Sequence, residues 1–168
     1  MQHMVPSLKI KKLYKDVLDP TKAHPTDSGY DLYAYRFLKV YAKGTGDIGY
    51  VPPEDEYSIE LPSLGRVLIA TGISATVGEG YEIQIRPRSG NALKKGLTVL
   101  NTPGTVDDSY RGDISVIVFN STHKSVEIKL GERIAQAVVC PVTLSEIEFV
   151  EELPSTVRGA GGFGSTGA

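Results

Sequence analysis

Short apolar segments, separated by glycine or proline roughly every ten residues, dominate this 168-residue chain. The segments are rich in Val, Ile, Tyr and Thr, and several alternate apolar with polar residues, as strands with one buried face do. This pattern predicts an all-β protein, a sandwich or a barrel. The predicted strands are residues 8–13, 30–35, 66–76 with a bend at Thr71-Gly72, 81–86, 114–119, 126–130, 134–139 and 147–150.

The segments between these strands differ in character. Residues 89–95 predict one short helix, with Ser89 as a candidate N-cap and Gly96 as its C-terminal stop. The stretch from Phe37 to Glu56 predicts a long surface loop within a domain of residues 1–150. The Gly-rich residues 151–168 predict a separate C-terminal arm.

Composition narrows the class of protein. The net charge of −2 leaves no basic excess for binding polymeric nucleic acid or a membrane surface. The single cysteine, Cys140, lies in an apolar run and is expected to be buried; without an internal disulfide, an intracellular, cytoplasmic location is expected. No apolar stretch approaches the ~20 residues of a membrane helix, and the N-terminus has no signal-peptide pattern.

Two polar clusters flank predicted strands in the first half of the chain. Residues 26–34 contain Gly29 and Asp31, which form either a turn or a site for Mg²⁺ held through water. Residues 86–90 place Arg86 and Arg88 at the start of the predicted helix, where they suit a phosphate, although a strand end followed by a helix cap has the same composition.

A third cluster, residues 101–113, predicts a glycine-containing hairpin whose backbone donors and acceptors face a flat base. Either Asp107 or Asp108 is a candidate general base toward water, and Tyr110 is a candidate for packing on a sugar. A solvated turn is the alternative for this segment.

Two further clusters complete the set. Gln136 interrupts an apolar strand, so its amide requires a partner or a ligand. The terminal residues 158–168 combine Arg158, Phe163 and five glycines, which suits a lid that clamps phosphate and stacks on a base; a disordered Gly-rich tail is the alternative.

In this order the five clusters resemble the five motifs of the trimeric deoxyuridine triphosphatase (dUTPase) family. The matching stretches are DSGYDLYA, PRSG with the following KKG, NTPGTVDDSYRGD, GERIAQ and RGAGGFGSTG. The resemblance implies a distorted jelly roll, a homotrimer with active sites shared between chains, and Mg²⁺-assisted hydrolysis of dUTP to dUMP and pyrophosphate. Ser28 and Asn91 stand where alanine and leucine are common in the family.

The same resemblance implies residue roles. Asp107 would orient and deprotonate the attacking water, Tyr110 would stack on deoxyribose, and Arg158 would clamp the γ-phosphate. Asp31 and Gln136 would hold Mg²⁺ through water and would hold the α-phosphate, so Gln136 is also an implied substrate-binding residue. The other implied substrate-binding residues are Arg88, Ser89 and Gly90 for the phosphates, Asn101, Gly104, Thr105 and Val106 in the hairpin, Phe163 over the uracil, and Gly164, Ser165 and Thr166 around the phosphates.

Two alternatives remain at this point. A dCTP deaminase shares the implied fold, but it is expected to carry a glutamate base and a different third motif. A regulatory protein without catalytic activity would use the stretch from Phe37 to Glu56 to contact a partner.

Overall fold

The computed structural model describes residues 5–43 and 49–162, and within them it has one helix and twelve strands. No helix among these residues is long and apolar enough to cross a membrane. In chain order the elements are β1 Lys9–Lys12, β2 Gly29–Tyr33, β3 Arg36–Tyr41, β4 Ser58–Leu61, β5 Arg66–Ala70, β6 Ile73–Thr76, β7 Tyr81–Arg86, α1 Ser89–Lys95, β8 Leu97–Val99, β9 Gly104–Val106, β10 Ser115–Asn120, β11 Val126–Lys129 and β12 Arg133–Pro141.

The strands form a distorted jelly-roll sandwich, which confirms the predicted all-β class. One four-stranded sheet has the order β3-β5-β10-β8, and a second has the order β2-β12-β7-β9. Two smaller pairs, β1-β6 and β11-β4, extend the sandwich. The ladders that connect these strands are antiparallel, as expected for strands that bury one face and expose the other.

The core follows from the alternation along the strands. In β10, Val116 and Val118 are buried while the residues between them are less so. The buried Asn120 at the end of β10 donates its amide to the backbone oxygens of Leu61 and Lys124, at 3.0 and 2.8 Å, so its polar atoms are satisfied. The sandwich is therefore held by apolar packing with one polar junction at this end.

The surface loop predicted from Phe37 to Glu56 is wrong in its first part. Residues 36–41 form β3, which pairs with β5, and Phe37 and Val40 are 3% and 0% exposed. Burial of these two apolar side chains in a strand is more favourable than their exposure in a surface loop. The loop therefore begins after Tyr41, and its residues 44–48 lie outside the described residues.

The strand predicted at residues 147–150 is also absent from the described structure. Residues 142–150 pair with no strand, and Ile147 and Phe149 are 83% and 94% exposed. A strand exists only with a hydrogen-bonding partner, and residues 5–43 and 49–162 of a single chain offer no partner strand to this segment. Its apolar residues are therefore available to another surface.

Helix α1 has the predicted bounds, and Gly96 ends it with the left-handed backbone that favours glycine (φ 64°). Its N-cap is Arg88 rather than Ser89, without a side-chain capping bond, so Ser89 is the first helical residue. The helix buries no residue. Polar contacts hold it instead: Asn91 donates to the Arg133 carbonyl at 2.8 Å, and Lys95 pairs with Glu132 at 2.9 Å.

Gly72, between β5 and β6, generates the first testable prediction. Its φ is 74°, and an added Cβ would lie 2.5 Å from Val17 Cγ2. We expect Gly72→Ala to lower the free energy of unfolding by about 3 kcal/mol, since alanine adds both backbone strain and steric overlap. A urea titration measures this change.

Gly131→Ala is the matched control. Gly131 also has a positive φ, 81°, but an added Cβ there would meet no atom within 4 Å. The Gly131→Ala variant should lose about 1 kcal/mol of the free energy of unfolding, because alanine adds only backbone strain at this position. Equal losses in the two variants would show that the contact with Val17 is unimportant.

Candidate active site

The second sheet brings polar residues from three segments to one cavity of about 330 Å³. Asp31 of β2 lies opposite Gln136 of β12, which lies opposite Arg86, the last residue of β7. The chain then continues directly into α1. The lining residues are Ala23, Asp27, Ser28, Gly29, Asp31, Arg88, Ser89, Gly90, Arg133 and Gln136.

Asp31 holds two guanidinium groups at this cavity. Its Oδ1 accepts from Arg88 Nε at 2.6 Å, and its Oδ2 accepts from Arg133 Nη1 at 3.2 Å. The Asp31 side chain is 16% exposed and that of Arg88 is 23% exposed, so solvent screens this pair only partly. The carboxylate therefore orients two cations toward the cavity, a pattern suited to binding an anion.

Gln136 has the partner that its position in an apolar strand requires. Its Nε2 donates to the Pro87 carbonyl at 2.9 Å, one residue before Arg88. A Cβ added at Gly29 would lie 2.2 Å from Gln136 Oε1. Gly29 is thus more than a turn residue, since the glutamine amide lies across the space that any larger residue would fill.

Arg86 does not contribute to this cavity, contrary to the prediction of two phosphate-binding guanidiniums at residues 86–90. It donates to Gln84 Oε1 at 3.1 and 2.7 Å and to Cys140 Sγ at 3.4 Å. Strand alternation places Arg86 on the same face as Gln84, whereas Arg88 lies beyond the strand end. Cys140 is partly exposed rather than buried, because β12 turns it toward this arginine.

A second cavity, of about 220 Å³, lies in the loop between β9 and β10. Burial raises the pKa of Asp113 in this loop, and the Asp113 carboxylate accepts from the Gly72 amide at 2.9 Å. The Tyr110 hydroxyl donates to the Asp113 carbonyl at 3.0 Å. The cavity is lined by Thr105, Val106, Asp107, Tyr110, Asp113, Ile114 and Ser115.

The two adjacent candidate bases have different environments. Asp108 Oδ1 accepts from the Thr76 hydroxyl and from the amides of Val77 and Gly78, at 3.2 and 2.8 Å. The Thr76 hydroxyl and the Gly78 amide hold the pKa of Asp108 below its usual value. The exposed Asp107 carboxylate has no hydrogen bond or ion pair to residues 5–43 or 49–162. Asp107 is therefore the carboxylate free to accept a proton from water.

The hairpin predicted around Gly104 does not form as a pair of adjacent strands. β8 pairs with β10 in the first sheet, whereas β9 pairs with β7 in the second. The turn between them crosses from one sheet to the other, and the buried Leu97 and Val99 fix β8 in the core on the first-sheet side. Gly104 lies close to the Asn101 side chain, whose Nδ2 would be 3.1 Å from an added Cβ.

The two cavities are separated along β7, since Thr105 and Val106 of the second cavity lie opposite Gln84 and Ile83, and the first cavity lies beyond Arg86. Asp108 contacts the turn that precedes β7, whereas Arg88 and Ser89 follow its last residue. Six extended residues span about 17 Å. The Asp107 carboxylate of one chain is therefore far from the guanidiniums of the same chain.

Of the predicted arm residues, Arg158 is exposed and donates to the Gly161 carbonyl at 2.8 Å, within the arm itself. It lines neither cavity in the single chain. The predicted residues Phe163, Gly164, Ser165 and Thr166 lie outside the described residues.

Sequence reasoning missed Arg133 and Gly29. Arg133 belongs to the GERIAQ stretch, but its partner Asp31 is 102 residues away. Gly29 resembled an ordinary turn glycine, since only the fold places Gln136 against it. In both cases the missing information was a contact between distant segments.

A jelly-roll sandwich with a cavity lined by oriented guanidiniums is typical of a protein that binds phosphorylated ligands. The dUTPase family model matches residues 54–167. The deoxyuridine 5'-triphosphate nucleotidohydrolase of Nautilia profundicola is 48% identical over 160 residues, which are 95% of this chain and 98% of that protein. The chain belongs to the dUTPase family.

Solved structures agree with this assignment. The dUTPase of Staphylococcus bacteriophage 80alpha, solved with dUPNHPP, is 26% identical with a TM-score of 0.74, covering 96% of this chain and 99% of that one. A mutant dUTPase from phage phi11 of S. aureus, which coordinates a structural Mg(II) ion, shares the fold at 20% identity and a TM-score of 0.69, covering 89% and 99% of the two chains.

The contact between Gly29 and Gln136 generates the second prediction. We expect Gly29→Ala to lower kcat/KM for dUTP about 100-fold, because the new methyl displaces the glutamine amide from the Pro87 carbonyl. Steady-state kinetics measure the loss, and thermal unfolding checks that the fold is retained.

The double variant Gly29→Ala/Gln136→Ala is the decisive control. If alanine at position 29 acts only by displacing Gln136, the double variant should be no worse than Gln136→Ala alone. Fully additive losses would show that Gly29 is needed for another reason.

Proposed function

We propose that this chain hydrolyses dUTP to dUMP and pyrophosphate. The observation that carries the proposal is that two cavities in a member of the dUTPase family present different chemical groups. One cavity presents two oriented guanidiniums, and the other presents a carboxylate with no partner among the described residues.

The triphosphate would bind in the first cavity, along Arg88, Ser89, Gly90 and Gln136. The Arg88 guanidinium is already oriented by Asp31, so little side-chain entropy is lost when a phosphate oxygen replaces water beside it. Gln136 Oε1 and the Ser89 hydroxyl supply neutral polar contacts. This arrangement binds the phosphates without moving the strands.

The charges of this cavity support a role for a divalent cation. Two arginines, Arg88 and Arg133, face two aspartates, Asp27 and Asp31, so the lining carries no excess positive charge. A triphosphate carries several negative charges, which Mg²⁺ and Arg158 from the arm would neutralise.

The residues present fit an ion held mainly by the phosphates. Within residues 5–43 and 49–162, no group of three or more His, Cys, Asp or Glu side chains forms a direct metal site. The Asp31 carboxylate has about four acceptor positions and uses three on guanidinium groups, so one remains for a metal-bound water. Mg²⁺ would supply charge neutralisation, with Asp31 and Gln136 contacting its water shell.

The chemical step would use the free carboxylate. Asp107 accepts a proton from a water whose oxygen attacks the α-phosphorus in line. The bond from the α-phosphorus to the bridging oxygen breaks, and pyrophosphate leaves with that oxygen. The leaving phosphates would bind beside Arg88, Ser89 and Gly90. These residues supply fixed hydrogen-bond donors that stabilise the negative charge developing on the pyrophosphate.

The second cavity would hold the nucleoside. Its wall combines the Tyr110 ring with the strand Gly104–Val106, whose free backbone edge can pair with a pyrimidine. Asn101 lies against Gly104 at the same edge. The Tyr110 ring, fixed by its hydroxyl bond to the Asp113 carbonyl, would stack on the deoxyribose.

The separation of the two cavities along β7 supports an active site that combines residues of different chains. A closed cyclic trimer would provide this combination, with the first cavity of one chain beside the second cavity of its neighbour. The exposed apolar residues Leu144, Ile147, Phe149 and Leu153 in the segment after β12 are available to cover a neighbouring chain. The arm that follows would close over the site, with Arg158 on the γ-phosphate and Phe163 on the uracil.

The two alternative functions have less support. In the described residues, the acidic side chains that line the second cavity are Asp107 and Asp113, rather than the glutamate expected of a dCTP deaminase. A regulatory role for the loop after Tyr41 remains a prediction; its described residues Tyr50, Val51 and Tyr57 are exposed.

The third prediction tests the base. We expect Asp107→Asn to reduce kcat about 1,000-fold, because the amide cannot accept the proton, while dUTP affinity stays near that of the unmodified chain. Pyrophosphate release with Mg²⁺ and dUTP measures kcat, and calorimetry with a non-hydrolysable dUTP analogue measures affinity. Glu60→Gln, on the exposed face of β4, is the control. Near-normal turnover in Asp107→Asn would refute the assignment.

The fourth prediction tests the shared site. Asp107→Asn and Arg88→Ala should each be inactive alone, but trimers formed by co-refolding equal amounts should regain about a quarter of normal activity, since each mixed site draws the two residues independently from different chains. Simple mixing without subunit exchange is the control. Failure to regain activity in verified mixed trimers would place both residues in one chain's site.

A further inference from the structure

We propose that Asp108 is a positioning residue that fixes the adjacent Asp107 by fastening its loop to the turn between β6 and β7. The inference rests on the proposed role of Asp107. The unusual feature is that one carboxylate oxygen of Asp108 receives three donors from a single turn: the Thr76 hydroxyl and the amides of Val77 and Gly78.

The far half of the same loop is anchored independently of Asp108. The Asp113 carboxylate accepts from the Gly72 amide at 2.9 Å, and the Ser74 hydroxyl donates to the Arg111 carbonyl at 2.9 Å. The Ile114 amide donates to the Ile73 carbonyl at 2.8 Å. Residues 111–114 are therefore held along β6 by a series of bonds.

The near half of the loop depends on Asp108. Among the described residues, the bonds that join residues 107–110 to β6 or to the β6–β7 turn are the three that Asp108 accepts. The remaining bonds are internal to the loop. The Tyr110 amide donates to the Asp107 carbonyl and the Tyr110 hydroxyl to the Asp113 carbonyl, both at 3.0 Å, and Arg111 donates to the backbone oxygens of Asp108 and Tyr110. Asp107 also follows directly after Val106 of β9, which pairs with Ile83 of β7. Releasing Asp108 would therefore leave Asp107 held on its β9 side alone, while residues 111–114 stay in place.

A released loop would affect the chemical step more than substrate binding. Consecutive Cα atoms are 3.8 Å apart, so a shift at Asp108 is passed directly to Asp107. A base displaced by about 1 Å costs on the order of 100-fold in rate. The phosphate-binding residues lie at the other end of β7 and keep their positions.

The charge state of Asp108 supports the fastening role. The hydroxyl and the two amides favour the ionised carboxylate, which is the stronger acceptor, so the three bonds persist at neutral pH. An asparagine at this position keeps a carbonyl oxygen able to accept the same donors, although more weakly. Alanine removes the acceptor altogether.

The fifth prediction uses this difference. We expect Asp108→Ala to lower kcat about 50-fold, with KM changed less than threefold. The variant Asp108→Asn should recover most of that loss of kcat. The variant Thr76→Val should lower kcat by an intermediate factor. Because Thr76 and Asp108 act through one contact, the double variant Thr76→Val/Asp108→Ala should be no slower than Asp108→Ala. Rates are expressed per folded trimer, with the folded fraction measured by thermal unfolding.

Glu79→Ala is the matched control, since Glu79 is an exposed acid on the same turn. A kcat for Asp108→Ala within threefold of the unmodified chain would overturn the inference, as would equal losses in the alanine and asparagine variants. If Asp108→Ala fails to fold, Thr76→Val and Asp108→Asn decide the question alone: unchanged kcat in both overturns it. Normal turnover of Asp107→Asn would instead overturn the proposed role of the base and leave the fastening of the loop untouched.

Discussion

The pairing of β12 with both β2 and β7 is the constraint on which the rest of the site depends. This register places Asp31, Gln136 and the end of β7 in one row. The opposite face of β12 carries buried apolar residues, including Ala135 and Ala137. A slip by one residue would turn Gln136 into the core and expose its apolar neighbours, so burial of one face fixes the chemistry of the other. The ion pairs of Asp31 with Arg88 and Arg133 follow from that register.

The same sheet also keeps the two groups of candidate functional residues apart. β7 is an extended strand fixed on both sides by β12 and β9, so it cannot shorten. It holds the guanidiniums at one end and the loop with Asp107 at the other. In the proposed mechanism, association of chains would bring these separated groups together across an interface. The exposed apolar segment after β12 is consistent with such association, since the described residues of one chain alone give it no partner strand.

Much of the fold and part of the site could be predicted from the sequence. The alternation of apolar and polar residues identified β7 and β10, and the cap and stop residues of the helix identified α1. Both signals depend only on residues that are near in sequence. The errors have a common cause. β3 and residues 147–150 both contain apolar residues of strand type, and only the presence or absence of a pairing partner separates them. Arg86 and Arg88 are two residues apart in one motif, yet Arg86 is the last residue of β7 and bonds Gln84, whereas Arg88 lies beyond the strand end and bonds Asp31.

The choice between Asp107 and Asp108 illustrates the same limit at the level of chemistry. The two residues are adjacent and identical in type, so their residue chemistry alone does not distinguish a base from an anchor, and only the resemblance to the family motif pointed to Asp107. Their surroundings do distinguish them: Thr76, Val77 and Gly78 donate to one carboxylate oxygen of Asp108, while the Asp107 carboxylate has no hydrogen bond or ion pair among the described residues. The pKa of Asp108 in the folded chain lies below the usual value of an aspartate. The bonds that Asp108 accepts therefore stabilise the loop fully at any pH above the usual aspartate pKa. This stabilisation is lost only as the pH falls through the lower pKa of the folded state. The anchor is thus intact throughout the neutral range in which a carboxylate base must act. In the proposed mechanism, two adjacent carboxylates would take separate roles because the fold satisfies one of them and leaves the other free.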